Sequence, residues 1–398
     1  NTILDLDLDS KGTLWLATAN GLSKLSGSVF ENFSRKDGLP SKLVTSVHVD
    51  RDDDSRIWTG SDRAGLTRFD KNGFYTFAVQ DGLPSNSIRD IKQFNDGRLV
   101  IACYTAGVAI FDGKKFELYD NGLDDKRVIL LSIGPNDEIW TGTESAGIGV
   151  LKDKEFSMIR DSDGLAHNEM FSLHYDGTRV WAGTFGGGVS CFFENTWFTL
   201  RESDGLNSNT IGAISTISEN EIALGGTNGM SVLVLNDRKF RLSIKNVFTP
   251  KEELSFYDLK DPVKGIVRDR FMVSSNPMVY NPTGAKVKYR SRIKKIGENE
   301  IGKWSELMLS PQILFVPQSV GSFELQIQAV DNRVSFSTIV TVPFNISRVW
   351  YLDPKTAIPF WGSILLLIGF SSVTYINYVK KSKEAKELRE AEIERQQA

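Results

Sequence analysis

Two sets of loop residues in this sequence carry side chains that could bind a hydroxylated ligand. Charged and amide groups would form hydrogen bonds with hydroxyl groups, and aromatic faces would stack on sugar rings. The first set lies in loops that lead into apolar strands, and the second lies in glycine-containing turns. The first set is Lys42, Asn86, Lys126, Arg127, His167, Asn168 and Asn209, and the second is Asp62, Arg63, Tyr104, Glu144 and Phe185. These residues form one site only if the fold brings both sets to one face.

Residues suited to catalysis or to metal binding are sparse, so we predict no catalytic site, no metal site and no cofactor. No nucleophile–base pair, phosphate-binding glycine loop or cluster with metal-ligand spacing occurs in the sequence. A sialidase-type box would read Ser-x-Asp-x-Gly-x-x-Trp, whereas one residue too many separates Asp9 from Gly12. A polysaccharide lyase or hydrolase is therefore the less favoured alternative.

Length and composition narrow the class of protein. The chain has 398 residues, enough for two or three domains, and 40% of them are hydrophobic. A formal net charge of −3 argues against a nucleic-acid-binding protein, and the absence of low-complexity tracts argues against a disordered one. Two cysteines, Cys103 and Cys191, exclude a disulfide scaffold, and we predict buried thiols rather than a disulfide. Because the sequence opens with Asn1 and stops at Ala398 in a charged run, we expect a segment of a longer protein.

A repeat of 40–44 residues provides the elements that must position the loop residues. The motif Asp37-Gly38-Leu39 recurs four times, with Asn121 replacing Asp once. A second column of the repeat contains Trp15, Trp58, Val100, Trp140, Trp181 and Ala223, and a third contains Phe30, Phe74, Phe116, Phe156, Trp197 and Phe240. A glycine follows each member of the second column, at positions 21, 65, 107, 147, 188 and 229. Six units that agree in several columns indicate a repeat architecture.

Each unit predicts four short strands, which is typical of a β-propeller blade. In the second unit the predicted strands are Leu43–Val49, Arg56–Gly60, Leu66–Phe69 and Phe74–Val79. Strands that run alternately up and down place the two sets of loops at the same end of the blades. We therefore predict a propeller of six visible four-stranded blades over residues 1–245, with the tryptophans buried between blades.

These strands resemble the two-component-regulator propeller repeats. The resemblance rests on the segments Leu-Trp-Leu-Ala-Thr, Ile-Trp-Thr-Gly-Ser, Ile-Trp-Thr-Gly-Thr and Val-Trp-Ala-Gly-Thr, each followed by a glycine turn and by Asp-Gly-Leu. Blades three and six depart from the pattern, because Val100 and Ala223 replace Trp. The resemblance implies the extracytoplasmic sensor of a hybrid two-component system or of a related membrane signalling protein.

Two histidines fall in the same column of the repeat. His48 and His174 lie in the first strands of blades two and five, which would face each other across the channel of a closed six-bladed ring. A shared metal ion is one possibility. Hydrogen bonds between neighbouring blades are the better explanation, because buried polar groups usually find such partners.

Residues 246–350 lack the repeat and predict a β-sandwich of immunoglobulin-like size. Predicted strands include 286–292, 323–329 and 338–346. The segments Tyr289-Arg290-Ser291-Arg292 and Gly321-Ser322-Phe323-Glu324 resemble the triple-tyrosine domain that follows such propellers in sensor proteins. Tyr289 is then the one tyrosine that is kept, and Phe323 replaces another.

A transmembrane helix is predicted over residues 356–379, which contain no Asp, Glu, Lys or Arg. The alternative is a buried helix of a soluble domain. Lys380, Lys381, Lys383 and Lys386 follow and mark the cytoplasmic side, so residues 1–355 lie outside an inner membrane that the chain crosses once. Residues 380–398 have a helix-favouring composition and predict the start of a cytoplasmic signalling helix.

The resemblance implies that this helix leads to an output module, most often a histidine kinase of a phosphorelay, with a serine phosphatase or a nucleotide cyclase as alternatives. The expected partners are a small-molecule or oligosaccharide ligand, or a partner protein, at the propeller, and a second copy of the chain through the membrane and stalk. The alternative function is a membrane-anchored propeller that binds or scaffolds proteins without signalling.

Overall fold

The first part of the chain forms antiparallel four-stranded sheets that follow one another in sequence. The computed structural model describes residues 2–194, 196–235, 239–255, 261–278, 287–298, 301–331, 334–349, 351 and 353–397. In each of the first five sheets, consecutive strands pair in order. The strands are β1 Ile3–Leu8, β2 Leu14–Thr18, β3 Gly21–Ser26, β4 Val29–Phe33, β5 Val44–Val49, β6 Ile57–Ser61, β7 Leu66–Asp70, β8 Gly73–Phe77, β9 Ile88–Gln93, β10 Leu99–Cys103, β11 Gly107–Phe111, β12 Phe116–Tyr119, β13 Val128–Ile133, β14 Ile139–Thr143, β15 Ile148–Lys152, β16 Glu155–Ile159, β17 Met170–Tyr175, β18 Val180–Thr184, β19 Val189–Phe193 and β20 Thr196–Leu200. These sheets are blades one to five of a propeller.

Blade six differs from the others. Within the described residues it has three strands, β21 Ile211–Ser218, β22 Glu221–Gly226 and β23 Gly229–Val234. The next strand, Arg241–Phe248, pairs with Phe271–Met278 instead. The prediction that Phe240 belongs to the aromatic column of blade six is therefore wrong, because Phe240 and the strand that follows it belong to the second compact unit. Alternation of apolar and polar residues is typical of a blade strand and of a sandwich strand. This pattern therefore could not assign Arg241–Phe248 to the propeller or to the sandwich.

The Asp-Gly-Leu motif forms the loop that joins one blade to the next. After blade one, the Asp37 carboxylate accepts the backbone N–H of Ser34 at 2.8 Å and closes a 3-10 turn over Arg35–Asp37. Gly38 follows at φ 100°, in the left-handed region that favours glycine. Leu39 then points inward and is buried. The motif thus turns the chain and places a buried leucine side chain directly after the turn, which explains why the motif recurs.

Adjacent blades pack through three recurring apolar side chains. One lies near the start of the third strand, one is the leucine of the Asp-Gly-Leu motif, and one begins the first strand of the next blade. Between blades one and two these are Leu22, Leu39 and Val44. The sets in the next three interfaces are Leu66, Leu83 and Ile88; Val108, Leu123 and Val128; and Ile148, Leu165 and Met170. Burial of one such side chain stabilises the fold by about 1.5–3 kcal/mol.

The blades form an arc with two free ends. The first strands β1, β5, β9, β13, β17 and β21 pack against one another in that order. Within the described residues, no comparable packing joins β21 to β1. The six blades are therefore those of a propeller whose ring is not closed by blades six and one.

The second unit contains two four-stranded sheets that pack face to face. One has the order β25-β24-β27-β29 and the other β26-β31-β30-β28. Phe315 of the first sheet contacts Phe344 of the second, with ring centroids 4.7 Å apart, and Phe271 contacts Phe344 at 5.0 Å. The strands are β24 Arg241–Phe248, β25 Glu253–Ser255, β26 Val263–Ile266, β27 Phe271–Met278, β28 Lys288–Lys295, β29 Gln312–Phe315, β30 Gly321–Val330 and β31 Val340–Ser347. The predicted sandwich strands overlap β28, β30 and β31, although residue 286 lies outside the described residues.

A single helix, α1 (Pro354–Gln397), follows the sandwich. Asp353 caps it by accepting the N–H of Lys355 on its side chain and that of Ala357 on its carbonyl. The helix contains both the predicted span and the charged run beyond it without a break. Apolar side chains such as Leu366 and Phe370 are 77% exposed, and within the described residues this is the one helix long and apolar enough to cross a membrane.

Candidate ligand site at the blade ends

The two sets of loop residues lie at the same end of the blades, as the alternation of strands predicted. The backbone N–H of Tyr104 bonds to the carbonyl of Ser87 at 2.8 Å, so the turn after the second strand meets the loop that leads into the same blade. Glu144 makes the equivalent bond to Arg127 at 3.1 Å. A third bond of this kind joins Phe185 to Glu169, also at 3.1 Å. We call this surface the blade-end face.

A charged network crosses the blade-end face from blade two to blade four. Arg89 forms an ion pair with Asp62 at 3.0 Å, and its guanidinium lies 4.5 Å from the ring centroid of Tyr104. The Tyr104 hydroxyl donates to Glu144 at 3.1 Å, and Glu144 also pairs with Arg127. Side chains from three blades are therefore coupled in one network.

Each charged side chain of the network has a partner of opposite charge, and the network is still open to solvent. Arg127 donates to both oxygens of Asp125 at 2.9 Å, and these bonds raise the pKa of Arg127. Burial alone would raise the pKa of Asp125, but the bonds from Arg127 and Ser145 lower it. Burial and the bond to Glu144 raise the pKa of Tyr104. Because the side chains of Arg127 and Glu144 are 43% and 41% exposed, a ligand could reach groups already held in place.

An exposed aromatic pair lies on blade five of the same face. The rings of Phe171 and Phe185 are 5.4 Å apart and tilted by 45°. Their residues are 38% and 50% exposed, which is unusual for two large apolar side chains in contact. Aromatic surface of this kind binds the apolar face of a ring and stays available because the neighbouring loops do not cover it.

Arg89 and Phe171 were missed by the sequence analysis, and the two share a structural position. Each is the second residue of the first strand of its blade, where the pairing with the second strand contains a β-bulge. A bulge redirects a side chain away from the regular alternation and is common beside functional sites. The same column contains Leu4, Thr45, Ile129 and Gly212 in the other blades, so the residue types alone give no signal that this position faces the site.

Three of the predicted binding residues maintain the loops instead. The side-chain oxygens of Asn86, Asn168 and Asn209 accept the backbone N–H groups of Val79, Asp161 and Glu202, each at 2.9 Å. Each asparagine therefore holds the 3-10 turn of the preceding Asp-Gly-Leu loop. The side-chain oxygen is occupied in all three blades.

The other predicted residues are scattered over the surface. Lys126 pairs with Asp120, and the His167 ring accepts the N–H of Glu169 at 3.1 Å. Lys42 is exposed, and Arg63 is 94% exposed. The structure thus joins Asp62, Tyr104, Glu144 and Arg127 in one network and pairs Phe185 with Phe171. Arg63 contacts the network only through an ion pair with Asp62 at 3.5 Å, and the remaining predicted residues lie outside it.

The two histidines bond to neighbouring blades, as predicted. His48 lies 3.3 Å from Asp7 of blade one and 3.2 Å from Gln93 of blade three. His174 lies 2.7 Å from the hydroxyl of Thr216 in blade six. Within the described residues, no group of three or more His, Cys, Asp or Glu side chains is arranged to hold a metal ion.

A second polar cluster lies along the first strands of blades one to three. A pocket of about 380 Å³ is lined there by Asp5, Asp7, His48 and Lys92, among others. Burial raises the pKa of Asp5 to about 6 despite the nearby Lys92 ammonium. Burial would lower the pKa of Lys92, but Asp90 and Asp5 raise it. The cluster contains more acidic than basic groups, and Lys92 of blade three interacts with Asp5 of blade one.

The fold and this face define a class: a β-propeller with a charged, partly exposed blade-end face, followed by a sandwich and a helix that could cross a membrane. No protein-family model matches the sequence, and no curated protein matches it.

Solved structures resemble the chain over most of its length. The extracellular domain assigned to hybrid two-component system BT3049 of B. thetaiotaomicron is 17% identical with a TM-score of 0.43, over 86% of this chain and 55% of that one. PorZ, a surface component of the type-IX secretion system of Porphyromonas gingivalis, is 11% identical with a TM-score of 0.48, over 87% and 51%. This chain thus spans about half the length of these structures.

A third similar structure is an enzyme. A catalytically inactive virginiamycin B lyase from Staphylococcus aureus is 14% identical with a TM-score of 0.45, over 61% of this chain and 89% of that one. Because a propeller hosts unrelated functions, function must be argued from the residues of this chain.

Proposed function

We propose that this chain is the extracytoplasmic sensor and membrane relay of a signalling receptor. A ligand binds at the blade-end face, and an output module lies on the other side of the membrane. The observation that carries the proposal is the continuity of α1, which runs from the sandwich through the apolar span into the charged run as one helix. Such a helix can transmit a change in position from one side of a membrane to the other.

The composition of α1 favours a membrane location and an orientation. Residues 356–379 carry no charged side chain, and 24 residues at about 1.5 Å each exceed the roughly 30 Å hydrocarbon core. Lysines begin at Lys380, and the excess of positive charge marks the cytoplasmic end. The propeller and the sandwich then lie outside the cell's inner membrane, in the periplasm or the extracellular space.

The chemistry of the blade-end face favours a ligand with both polar groups and apolar ring faces. The network around Arg127 offers donors and acceptors held at defined positions, and the Phe171–Phe185 pair offers stacking surface. An oligosaccharide combines these features, and a charged sugar would use the arginines directly. A partner protein that presents an acidic loop is the alternative occupant.

Ligand binding at this face can be tested with matched arginine variants. The chain in detergent micelles would be screened by thermal shift against neutral and uronic-acid-containing oligosaccharides. A ligand at 100 times its Kd stabilises the folded state by about 2.7 kcal/mol, which gives a measurable shift. Arg127→Gln should abolish the shift. Arg98→Gln is the control, because Arg98 makes the same kind of ion pair with Asp96 in a turn outside the network. A shift that survives Arg127→Gln would place the ligand elsewhere.

The relay requires a second copy of the chain, because one helix has nothing against which to move. Single cysteines along Glu384–Glu394 should crosslink in native membranes at every third or fourth position. A ligand should change which positions react. Uniform absence of crosslinks would contradict the dimeric relay and would favour a membrane-anchored binding protein that does not signal.

The output module is proposed to be a histidine kinase, on the resemblance of the repeats alone. Kinase activity of the natural receptor in membranes, with and without the ligand, would test this step. Phosphatase or cyclase activity in its place would correct the output and leave the sensor role intact.

A further inference from the structure

Blade five carries aromatic side chains at two outer positions that are exposed or polar in blades one to four. The first, Phe198, lies on the fourth strand and is 4% exposed. The equivalent residues of blades one to four are all exposed, and they are Glu31, Tyr75, Glu117 and Ser157. The second, Phe193, ends the third strand, where the equivalent residues are Ser26, Asp70, Asp112 and Lys152. Aromatic side chains at both positions indicate that the outer side of blade five is covered.

The covering segment is Val330–Phe336, whose described residues are 330, 331 and 334–336. This segment belongs to the same compact unit as the blades, whereas all of β31 belongs to the second unit. The ring of Phe336 lies 5.4 Å from that of Phe193 and 6.3 Å from that of Phe198. Phe336 is 4% exposed, so the contact excludes solvent. We call Val330–Phe336 the latch segment.

A buried ion pair of blade five lies beside this contact. The guanidinium of Arg179 lies 4.8 Å from the ring centroid of Phe193 and 3.6 Å from the carboxylate of Asp176, and the Arg179 side chain is 4% exposed. Blade two has the equivalent pair, in which Arg56 lies 3.1 Å from Asp50, but the Arg56 side chain is 37% exposed. The same pair is therefore stable when it is solvated. Uncovering Arg179 would return its charge to water and leave its acidic partner in place.

The latch segment holds a strained residue. Val334 has φ 64°, in the left-handed region that a β-branched residue rarely adopts. The Asp331 carbonyl accepts the N–H of Val334 at 3.1 Å, and the Asp331 carboxylate accepts the N–H of Ser335 at 2.9 Å. Strain of this kind persists only where surrounding contacts maintain it. The docked segment therefore opposes a relaxation that its release would allow.

We infer that the latch segment is a releasable contact that regulates the membrane helix. When docked, the segment ties β31 to blade five, because β31 begins at Val340, shortly after Phe336. When released, the segment frees β31, and with it α1, from blade five.

Blade five connects the latch segment to the proposed ligand face. Its strands β17 and β18 carry Phe171 and Phe185 at one end and the Asp176–Arg179 pair at the other. A ligand that moves these strands would change the surface on which the latch segment rests. This regulatory role rests on the proposed function, which places the ligand at the blade-end face.

Thiol protection of the chain in detergent micelles tests whether the latch segment is docked and releasable. Ser335 is 2% exposed, so Ser335→Cys should react with a maleimide about 100-fold more slowly than Lys114→Cys, which lies in an exposed turn of blade three. Phe193→Ser copies Ser26 of blade one and removes the partner of Phe336. This substitution should raise the rate at Ser335→Cys about 10- to 100-fold.

Two controls separate release of the latch segment from general loosening. Phe111→Ala removes a buried ring from blade three and should leave the rate at Ser335→Cys unchanged. Each rate is corrected with the same variant that retains Ser335, because the native thiol of Cys191 lies on blade five.

Three labelling results would overturn the inference. Reaction of Ser335→Cys as fast as Lys114→Cys would show that the segment is not docked. Protection that survives Phe193→Ser would show that blade five does not hold it. An equal rise in rate with Phe111→Ala would show general loosening in place of a specific release.

Crosslinking in native membranes tests the effect on the helix. With single cysteines along Glu384–Glu394 and no ligand, Phe193→Ser should change which positions crosslink, and Phe111→Ala should not. A pattern that Phe193→Ser leaves unaltered would overturn the regulatory role while the dimeric relay stands. Absence of crosslinks already in the unchanged chain is a different result, which would contradict the proposed relay and remove the regulatory role with it.

Discussion

The buried tryptophans of blades four and five differ in one hydrogen bond, and this difference predicts unequal costs of the same substitution. Trp181 Nε1 donates to the Asp176 carboxylate at 2.8 Å, and the Asp176 side chain is only 4% exposed. Trp140 is equally buried, at 3% exposed, but within the described residues its Nε1 has no acceptor. Gly134 stands where blade five has Asp176, so the acceptor is missing.

Replacement by phenylalanine removes the indole N–H and a similar volume at both sites. Trp181→Phe loses a hydrogen bond to a charged group, worth about 1.5–3 kcal/mol, and leaves a buried carboxylate oxygen without its donor. Trp140→Phe removes an unpaired buried donor, whose desolvation costs about 1–3 kcal/mol, so part of the packing loss is offset. We expect Trp181→Phe to destabilise the fold by about 2–4 kcal/mol more than Trp140→Phe.

Urea unfolding followed by circular dichroism would measure this difference from the transition midpoints at constant slope. Trp140→Ala is the positive control for packing and should cost about 3–5 kcal/mol, because the ring fills the space beside Phe192 and Trp197. Equal costs for the two phenylalanine variants would refute the role of the Trp181–Asp176 bond. An unchanged stability of Trp140→Ala would refute the packing itself.

Three further predictions concern single groups. Burial raises the pKa of Asp5 from the ordinary 3.8 to about 6, because the folded state favours the protonated carboxyl group. The contribution of this group to the free energy of unfolding is therefore fully present below pH 4 and is lost as the pH rises through 6. Asp5→Asn should remove about 3 kcal/mol of this pH dependence of the free energy of unfolding. The same change in unfolding midpoint between pH 4 and pH 7, in the variant and in the unchanged chain, would contradict the prediction. Cys103, whose pKa is raised to about 12 by burial, should react with a thiol reagent only after denaturation, and labelling of the native chain would show an open interface. Lys114→Cys should react with an impermeant maleimide in intact cells, whereas labelling only after lysis would reverse the proposed orientation.

Much of the fold was predictable from the sequence because its signals are local and repeat. The Asp-Gly-Leu loop, the left-handed glycines and the buried tryptophans each depend on a few neighbouring residues, so the same solution recurs in each blade and becomes visible as a column. The strands of blades one to five and the shared end of the two sets of loops follow from this repeat and are present in the structure. The sandwich and the helix are also present, but they were predicted from alternating strands and from composition. Part of the site followed from the same pattern, since Tyr104, Glu144 and Arg127 lie together.

The remaining features depend on contacts between distant residues, which a local pattern does not specify. Phe240 fits the aromatic column, yet its strand pairs with Phe271–Met278, because alternation does not choose a partner. Asn86 was predicted to bind a ligand, but its side-chain oxygen accepts the N–H of Val79 and stabilises a turn. Arg89 was not predicted, and a β-bulge directs its side chain to the blade-end face. The repeated sequence pattern determined the fold of a single blade. Only the tertiary structure decided which faces the blades leave uncovered, because burial of a repeated position depends on whether a neighbour is there to cover it.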